Sequence, residues 1–228
     1  VTLPKGVTGE RFDRRLKMLQ SLEDDFIAQN RGSEAADHKS VYERATRFMG
    51  SAGISAFDLS HETEATRNSY GRHPFGQGCL IARRLVEAGV RCVEVSLNGW
   101  DTHVNNAAAT KELAEALDPA FSSLLSDLFA REMLDHTLVA WMGEFGRTPN
   151  INPLKGRDHW TLAWSVALAG GGIKGGKAIG HTSEEGTSLL EDPVTVNYLF
   201  ATLCKATGID QYKEYTTPSG RPFSIVDK

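Results

Sequence analysis

Three short stretches carry the residues best suited to chemistry: "NGWDTH" at 98–103, "GEFGRTP" at 143–149 and "KGRDHW" at 155–160. In the first, Asp101 and His103 are two residues apart, so an extended loop can direct both at one point. A carboxylate and a neutral imidazole suit Zn²⁺ or another divalent ion. The same pair also has a plain structural reading, a capping Asp beside a surface His. In the second, Glu144 follows the apolar run "TLVAW" and can bind a cation, act as a base or pair with Arg147. Arg147 offers a planar fork to a phosphate, sulfate or carboxylate, and Gly146 suits a positive φ in the turn. In the third, either His159 binds a metal while Asp158 orients a neighbour, or the reverse.

These loops need elements to position them. The run "VRCVEVSL" (90–97) predicts a strand that delivers Asp101 and His103, and "TLVAWMG" (137–143) predicts the strand that delivers Glu144. Between them "ATKELAEALDPAFSSLLSDLFAREM" predicts a long helix, adjusted near Pro119. Before them "CLIARRLVEAG" reads as a helix stopped by Gly89. Helix, strand, helix, strand is the order of a parallel α/β sheet. In such a sheet the carboxyl ends of the strands share one side, so Asp101, His103, Glu144 and Arg147 are expected to converge, with His159 joining if its loop folds back. His73, in "YGRHPFGQG", is a further candidate for that face.

The first 50 residues predict an antiparallel helical pair with a break near "NRGS" (30–33). Phe12, Leu16, Leu19, Leu22 and Phe26 form one apolar stripe, and Val41, Tyr42, Ala45 and Phe48 form the other. Residues 1–70 therefore read as a helical segment packing on or capping an α/β core at 71–228. "TLAWSVALAGGGIKGG" reads as a strand entering a tight glycine turn; it matches neither GxGxxG nor GxxxxGK[ST]. "DPVTVNYLFATLCKATGID" predicts a helix starting at Pro193 and ending at Gly208, followed by an extended tail.

Bulk properties exclude some classes. A net charge of −4 supplies no basic surplus for nucleic-acid phosphates. No apolar run approaches the ~20 residues of a membrane span. The cysteines Cys79, Cys92 and Cys204 lack CxxC spacing and read as small buried residues.

The runs "YGRHPFGQGCLIARRLVEAGVRCVEVSLNGWDTHVNN", "TLVAWMGEFGRTPNIN", "GRDHW" and "LAGGGIKGG", in that order, resemble the bacterial family DUF1501 over essentially the whole chain. That family is grouped with the alkaline-phosphatase-like superfamily of sulfatases, phosphatases and phosphomutases. The resemblance implies a central, mostly parallel sheet flanked by helices, with an N-terminal helical segment. It implies hydrolysis of phosphate or sulfate esters, on a small molecule or a polysaccharide, with a divalent metal (Zn, Ca, Mg or Mn). Asp101, His103, Glu144 and His159 fall at metal-ligand positions, and Arg147 and Asp158 are the catalytic candidates. Phe145 stands where the superfamily has a histidine ligand, so the expected ion count falls to one, or to none in a domain that keeps the fold for binding alone. No equivalent of the superfamily's early nucleophile is found, so the chain is expected to be the C-terminal portion of an exported parent whose N-terminal part completes the domain.

Overall fold

The computed structural model describes residues 3–29 and 34–226. The break expected near residues 30–33 lies outside the described residues. The chain divides into two compact units, one built from Val1–Thr63 and Ile81–Glu94, the other from Glu64–Leu80 and Val95–Lys228.

In the first unit, helices α1 (Gly9–Ala28) and α2 (Glu34–Met49) lie together. Thr8 caps α1 by accepting a hydrogen bond from the Arg11 N–H at 3.3 Å. Phe12, Leu16 and Leu19 are half-buried as expected, but Leu22 and Phe26 are exposed and Glu23 takes the inward position. Glu23 holds His38 Nδ1, and Asp24 holds Lys39 Nζ. These ionic ties set the rotation of α2, so the predicted stripe of Val41, Tyr42, Ala45 and Phe48 faces solvent. The unit's other anchor is Glu62, 10% exposed, which joins Arg83 (2.8 Å) and Arg84. Arg84 continues to the carbonyls of Ala56 (2.9 Å) and Ser55 (3.0 Å). Burial alone would raise the Glu62 carboxyl; hydrogen bonds and charge from Arg84 and Arg83 outweigh it and hold the group below the usual glutamate range.

Helix α4 (Pro74–Glu87) begins earlier than "CLIARRLVEAG" suggests. The reason is local: Pro suits a first helical turn, and His73 Nδ1 accepts the Gly76 N–H at 3.2 Å. His73 is committed there and is not among the residues gathered below. The short helix α3 (Glu64–Ser69) precedes it. The long helix α5 (Asn106–Ala130) forms as predicted and carries Pro119 inside it. In the second unit, Tyr70 is buried and donates to Asp127 Oδ2 at 3.0 Å, tying the end of α3 to α5.

The sheet differs from the expectation. The described strands form four separate two-stranded ladders, all antiparallel: β1 (Val139–Trp141) with β4 (Ala167–Ala169), β2 (Gly146–Arg147) with β3 (His159–Trp160), β5 (His181–Thr182) with β6 (Leu189–Glu191), and β7 (Glu214–Thr216) with β8 (Pro222–Ser224). No parallel ladder occurs among the described residues. The predicted strand 90–97 pairs in no ladder, although Val93, Val95 and Leu97 are half-buried while Glu94 and Ser96 are exposed. The alternation that suggested a strand is therefore real, and it reports one-sided burial; a ladder also needs a partner backbone. The glycine turn after β4 is as read, with Gly170, Gly171 and Gly172 all at positive φ. Helix α6 (Val196–Thr207) starts later than Pro193, because Thr195 is its cap and accepts the Tyr198 N–H at 3.2 Å; Gly208 at φ 71° ends it. No helix among the described residues is long and apolar enough to cross a membrane.

Cys79 and Cys204 are buried, whereas Cys92 is exposed, in contrast to the reading of all three as interior. Burial pushes the Cys79 thiol up to about 11. A disulfide-exchange reagent at pH 8 is accordingly expected to titrate one thiol rapidly in the native chain, lost in Cys92→Ser; a rapid second thiol would contradict this burial. The variant Glu62→Gln should lower stability by about 3 kcal/mol, since two arginines lose a shared buried partner. Because the folded Glu62 group sits below its ordinary value, its contribution is full above that value and lost as pH falls through the folded one. Denaturant titrations of both proteins should therefore show a gap at pH 7 that closes under acid conditions.

Candidate metal centre

The site is built by a hairpin folded against the loop that follows Leu97. Strands β2 and β3 pair Arg147 with His159 and Gly146 with Trp160. The connection between them is shaped by Asn152, whose Oδ1 accepts from the Leu154 and Gly156 N–H groups, both at 2.9 Å. Arg157 Nη1 donates to the Thr148 and Pro149 carbonyls, both at 2.6 Å, closing the base of the loop.

That loop lies along the segment carrying Asp101 and His103. The Arg157 N–H donates to the Thr102 carbonyl at 3.0 Å, and Val104 bridges Lys155. The Asn105 and Asn106 N–H groups donate to the Leu154 and Lys155 carbonyls. A Cβ on Gly156 would fall 1.9 Å from the His103 carbonyl oxygen, so glycine is required for the approach. Gly146 is needed for a similar reason: a Cβ there would lie 2.0 Å from the Ala163 carbonyl. It does not occupy a positive φ, so the reason expected from the sequence was the wrong one.

The consequence is a small triangle of electron-rich atoms. His159 Nε2 lies 2.9 Å from Asp101 Oδ1, His103 Nε2 lies 3.0 Å from the same oxygen, and the two Nε2 atoms are 3.2 Å apart. Asp101, His103 and His159 thus form a group that could hold a metal ion. A tetrahedral ion with bonds of ~2.0–2.1 Å spaces its ligand atoms ~3.3–3.4 Å apart, so the triangle is close to one face of such a site. All three side chains are partly exposed, at 42–61%, leaving an open side.

Neighbouring groups orient this triangle. His103 Nδ1 lies 2.9 Å from Asp158 Oδ1, the carboxylate–imidazole arrangement that turns Nε2 toward a cation. A hydrogen bond from His103, then one from Asn152, holds the Asp158 carboxyl below the usual range. The Asp101 carboxyl is likewise lowered, first by its hydrogen bond with His159 and further by the charges of His103, His159 and Arg147. Arg147 Nη2 donates to Asp101 Oδ1 and to Glu144 Oε1, both at 3.2 Å, while Nε donates to the Trp100 carbonyl at 3.3 Å.

The sequence candidates therefore occupy distinct places. Asp101, His103 and His159 form the triangle, Asp158 stands behind His103, and Arg147 flanks Asp101. Glu144 is outside the triangle, attached to it through Arg147. Phe145 is a wall: its ring centroid is 4.6 Å from that of His159 and 5.3 Å from Arg147 Cζ. Asn152 is not among the residues that the sequence singles out. The signal available was Asn-Pro-x-x-Gly over residues 152–156, an Asx-turn composition three residues beyond Pro149.

No curated protein and no solved structure matches the chain. A family model described as "Protein of unknown function (DUF1501)" matches residues 1–228, and the chain belongs to that family.

Proposed function

We propose that Asp101, His103 and His159 hold a single divalent ion and that the chain carries the metal centre of a hydrolase acting on phosphate or sulfate esters. The observation that carries this reading is the triangle itself. If His103 donates its Nδ1–H to Asp158, its Nε2 presents a lone pair 3.0 Å from a carboxylate oxygen. A lone pair facing a carboxylate oxygen is repulsive unless a cation or a proton lies between them. Two imidazoles and one carboxylate favour Zn²⁺ or Mn²⁺ over Ca²⁺ and Mg²⁺, which prefer oxygen donors throughout.

When bound, a divalent ion at this place supplies Lewis acidity toward an ester oxygen. The chain's own groups do the rest. Asp158 fixes the His103 ring. Glu144 and Asp101 hold Arg147 beside the centre, and Arg147 Nη1, engaged by a long 3.4 Å bond to the Gly146 carbonyl, is the donor left to meet a substrate oxyanion. We assign Glu144 to positioning Arg147, a change from the ligand role that the resemblance implied. The alkaline-phosphatase-like superfamily belongs to this proposal as well, since it rests on the resemblance of the motifs.

A second reading has its own support. Phe145 covers one side of the His159 ring where a further ligand would be needed for a two-metal site. A domain with one metal and no turnover would then serve binding, of a polysaccharide or another protein.

Dialysed chain incubated with Zn²⁺ should retain about one ion by elemental analysis. Asp101→Ala and His103→Ala should each weaken retention by ~100-fold or more; equal retention in these variants would remove the site. Aryl phosphate and aryl sulfate panels, run on the full-length protein, then separate the two readings. Turnover that falls ~10²–10³-fold in Arg147→Ala supports the hydrolase, and metal binding without turnover of any ester favours the binding domain.

A further inference from the structure

We infer that Asn152 is a positioning residue for the proposed metal centre, acting through Asp158 and His103; the inference rests on the metal reading above. Asn152 uses its whole side-chain amide. Its Oδ1 accepts the Leu154 and Gly156 N–H groups, which shapes the loop. Its Nδ2 donates in the other direction, to Asp158 Oδ1 at 3.1 Å and to the His103 carbonyl at 3.1 Å. An amide oxygen has two acceptor sites and an amide nitrogen two donors, so all four are filled.

The two Nδ2 bonds converge on one residue by different routes. One fixes the His103 backbone. The other fixes the carboxylate that faces His103 Nδ1. Asp158 Oδ1 thus receives the Asn152 amide and faces the His103 ring at once. An oxygen held from one side offers a fixed direction to the ring on the other, and ring direction decides where Nε2 points. Asp158 is 55% exposed, so without the amide its carboxylate would be held by the His103 ring alone. Asn152 is therefore more than the residue that folds a loop: it links the loop to the ring orientation at the triangle.

The two roles separate chemically. Asn152→Asp keeps an oxygen for the Leu154 and Gly156 N–H groups, and with it the loop. It removes both donors and sets a second negative charge against Asp158. The exchange variant Asn152→Asp/Asp158→Asn restores a donor and an acceptor between the two positions with the direction reversed. Asn152→Gln keeps both amide functions but shifts them by one methylene.

The test is Zn²⁺ affinity by competition with a chromophoric chelator, with thermal unfolding of each protein measured alongside. Asn152→Asp is expected to lose ~10- to 100-fold in affinity while unfolding cooperatively near the wild-type temperature. The exchange variant should recover part of that loss, since it removes the clash of two carboxylates but not the missing bond to the His103 carbonyl, and Asn152→Gln should resemble Asn152→Asp. Should Asn152→Asp not fold, Asn152→Gln carries the same expectation. Wild-type affinity in the folded single variants would overturn the inference. So would an exchange variant as weak as the sum of its single substitutions, which would leave Asn152 a loop-folding role alone. Failure of the wild-type chain to bind Zn²⁺ is a separate result: it sinks the metal reading and this inference with it.

Discussion

The arrangement depends on one electrostatic constraint: two imidazole Nε2 atoms and one carboxylate oxygen face each other within 2.9–3.2 Å. One edge of this triangle is a hydrogen bond between His159 and Asp101, and the other edges need support from outside it. The three groups are brought together because each is attached to something else. His159 is delivered by the β2–β3 hairpin, in register with Arg147. His103 is held by Asp158 at its far nitrogen and by Asn152 at its carbonyl. Asp101 is held by Arg147. The backbone around them is drawn close by Gly156 and Gly146, where even one added carbon would collide with a carbonyl.

The charges around the triangle are graded. Asp101 and Asp158 remain ionised below the ordinary aspartate range because imidazoles and the amide of Asn152 bind their charged forms. Arg147 adds a permanent positive charge next to Asp101 and takes Glu144 as its second carboxylate. Phe145 supplies an apolar face to both His159 and Arg147, limiting where each can move. A centre of this kind has one well-defended side and one open to solvent, which is the geometry expected where a ligand must enter.

Much of the site was legible in the sequence, and the reasons are specific. Asp101 and His103 share one loop, so short-range spacing grouped them; Arg147 and His159 were grouped with them through an expected parallel sheet, whereas an antiparallel β2–β3 hairpin is what pairs them. Glu144 was harder to place, because nothing local says whether a carboxylate will face a cation or the arginine three residues on. Asn152 was invisible as a site residue because its role is a pattern of four hydrogen bonds within and across loops. The fold was less legible. Residues 90–97 alternate as a strand does, yet strand formation depends on a partner that alternation cannot specify. In α2 the apolar stripe was correctly seen and wrongly faced, since the Glu23–His38 and Asp24–Lys39 pairs fix the helix the other way round.

X-ray absorption at the zinc edge of the Zn²⁺-loaded chain reads directly which atoms touch the ion. The expected spectrum shows a low coordination number at ~2.0–2.1 Å with the multiple-scattering signature of two imidazoles, falling to one imidazole in His159→Ala. A shell of oxygen atoms alone, unchanged by that substitution, would contradict it.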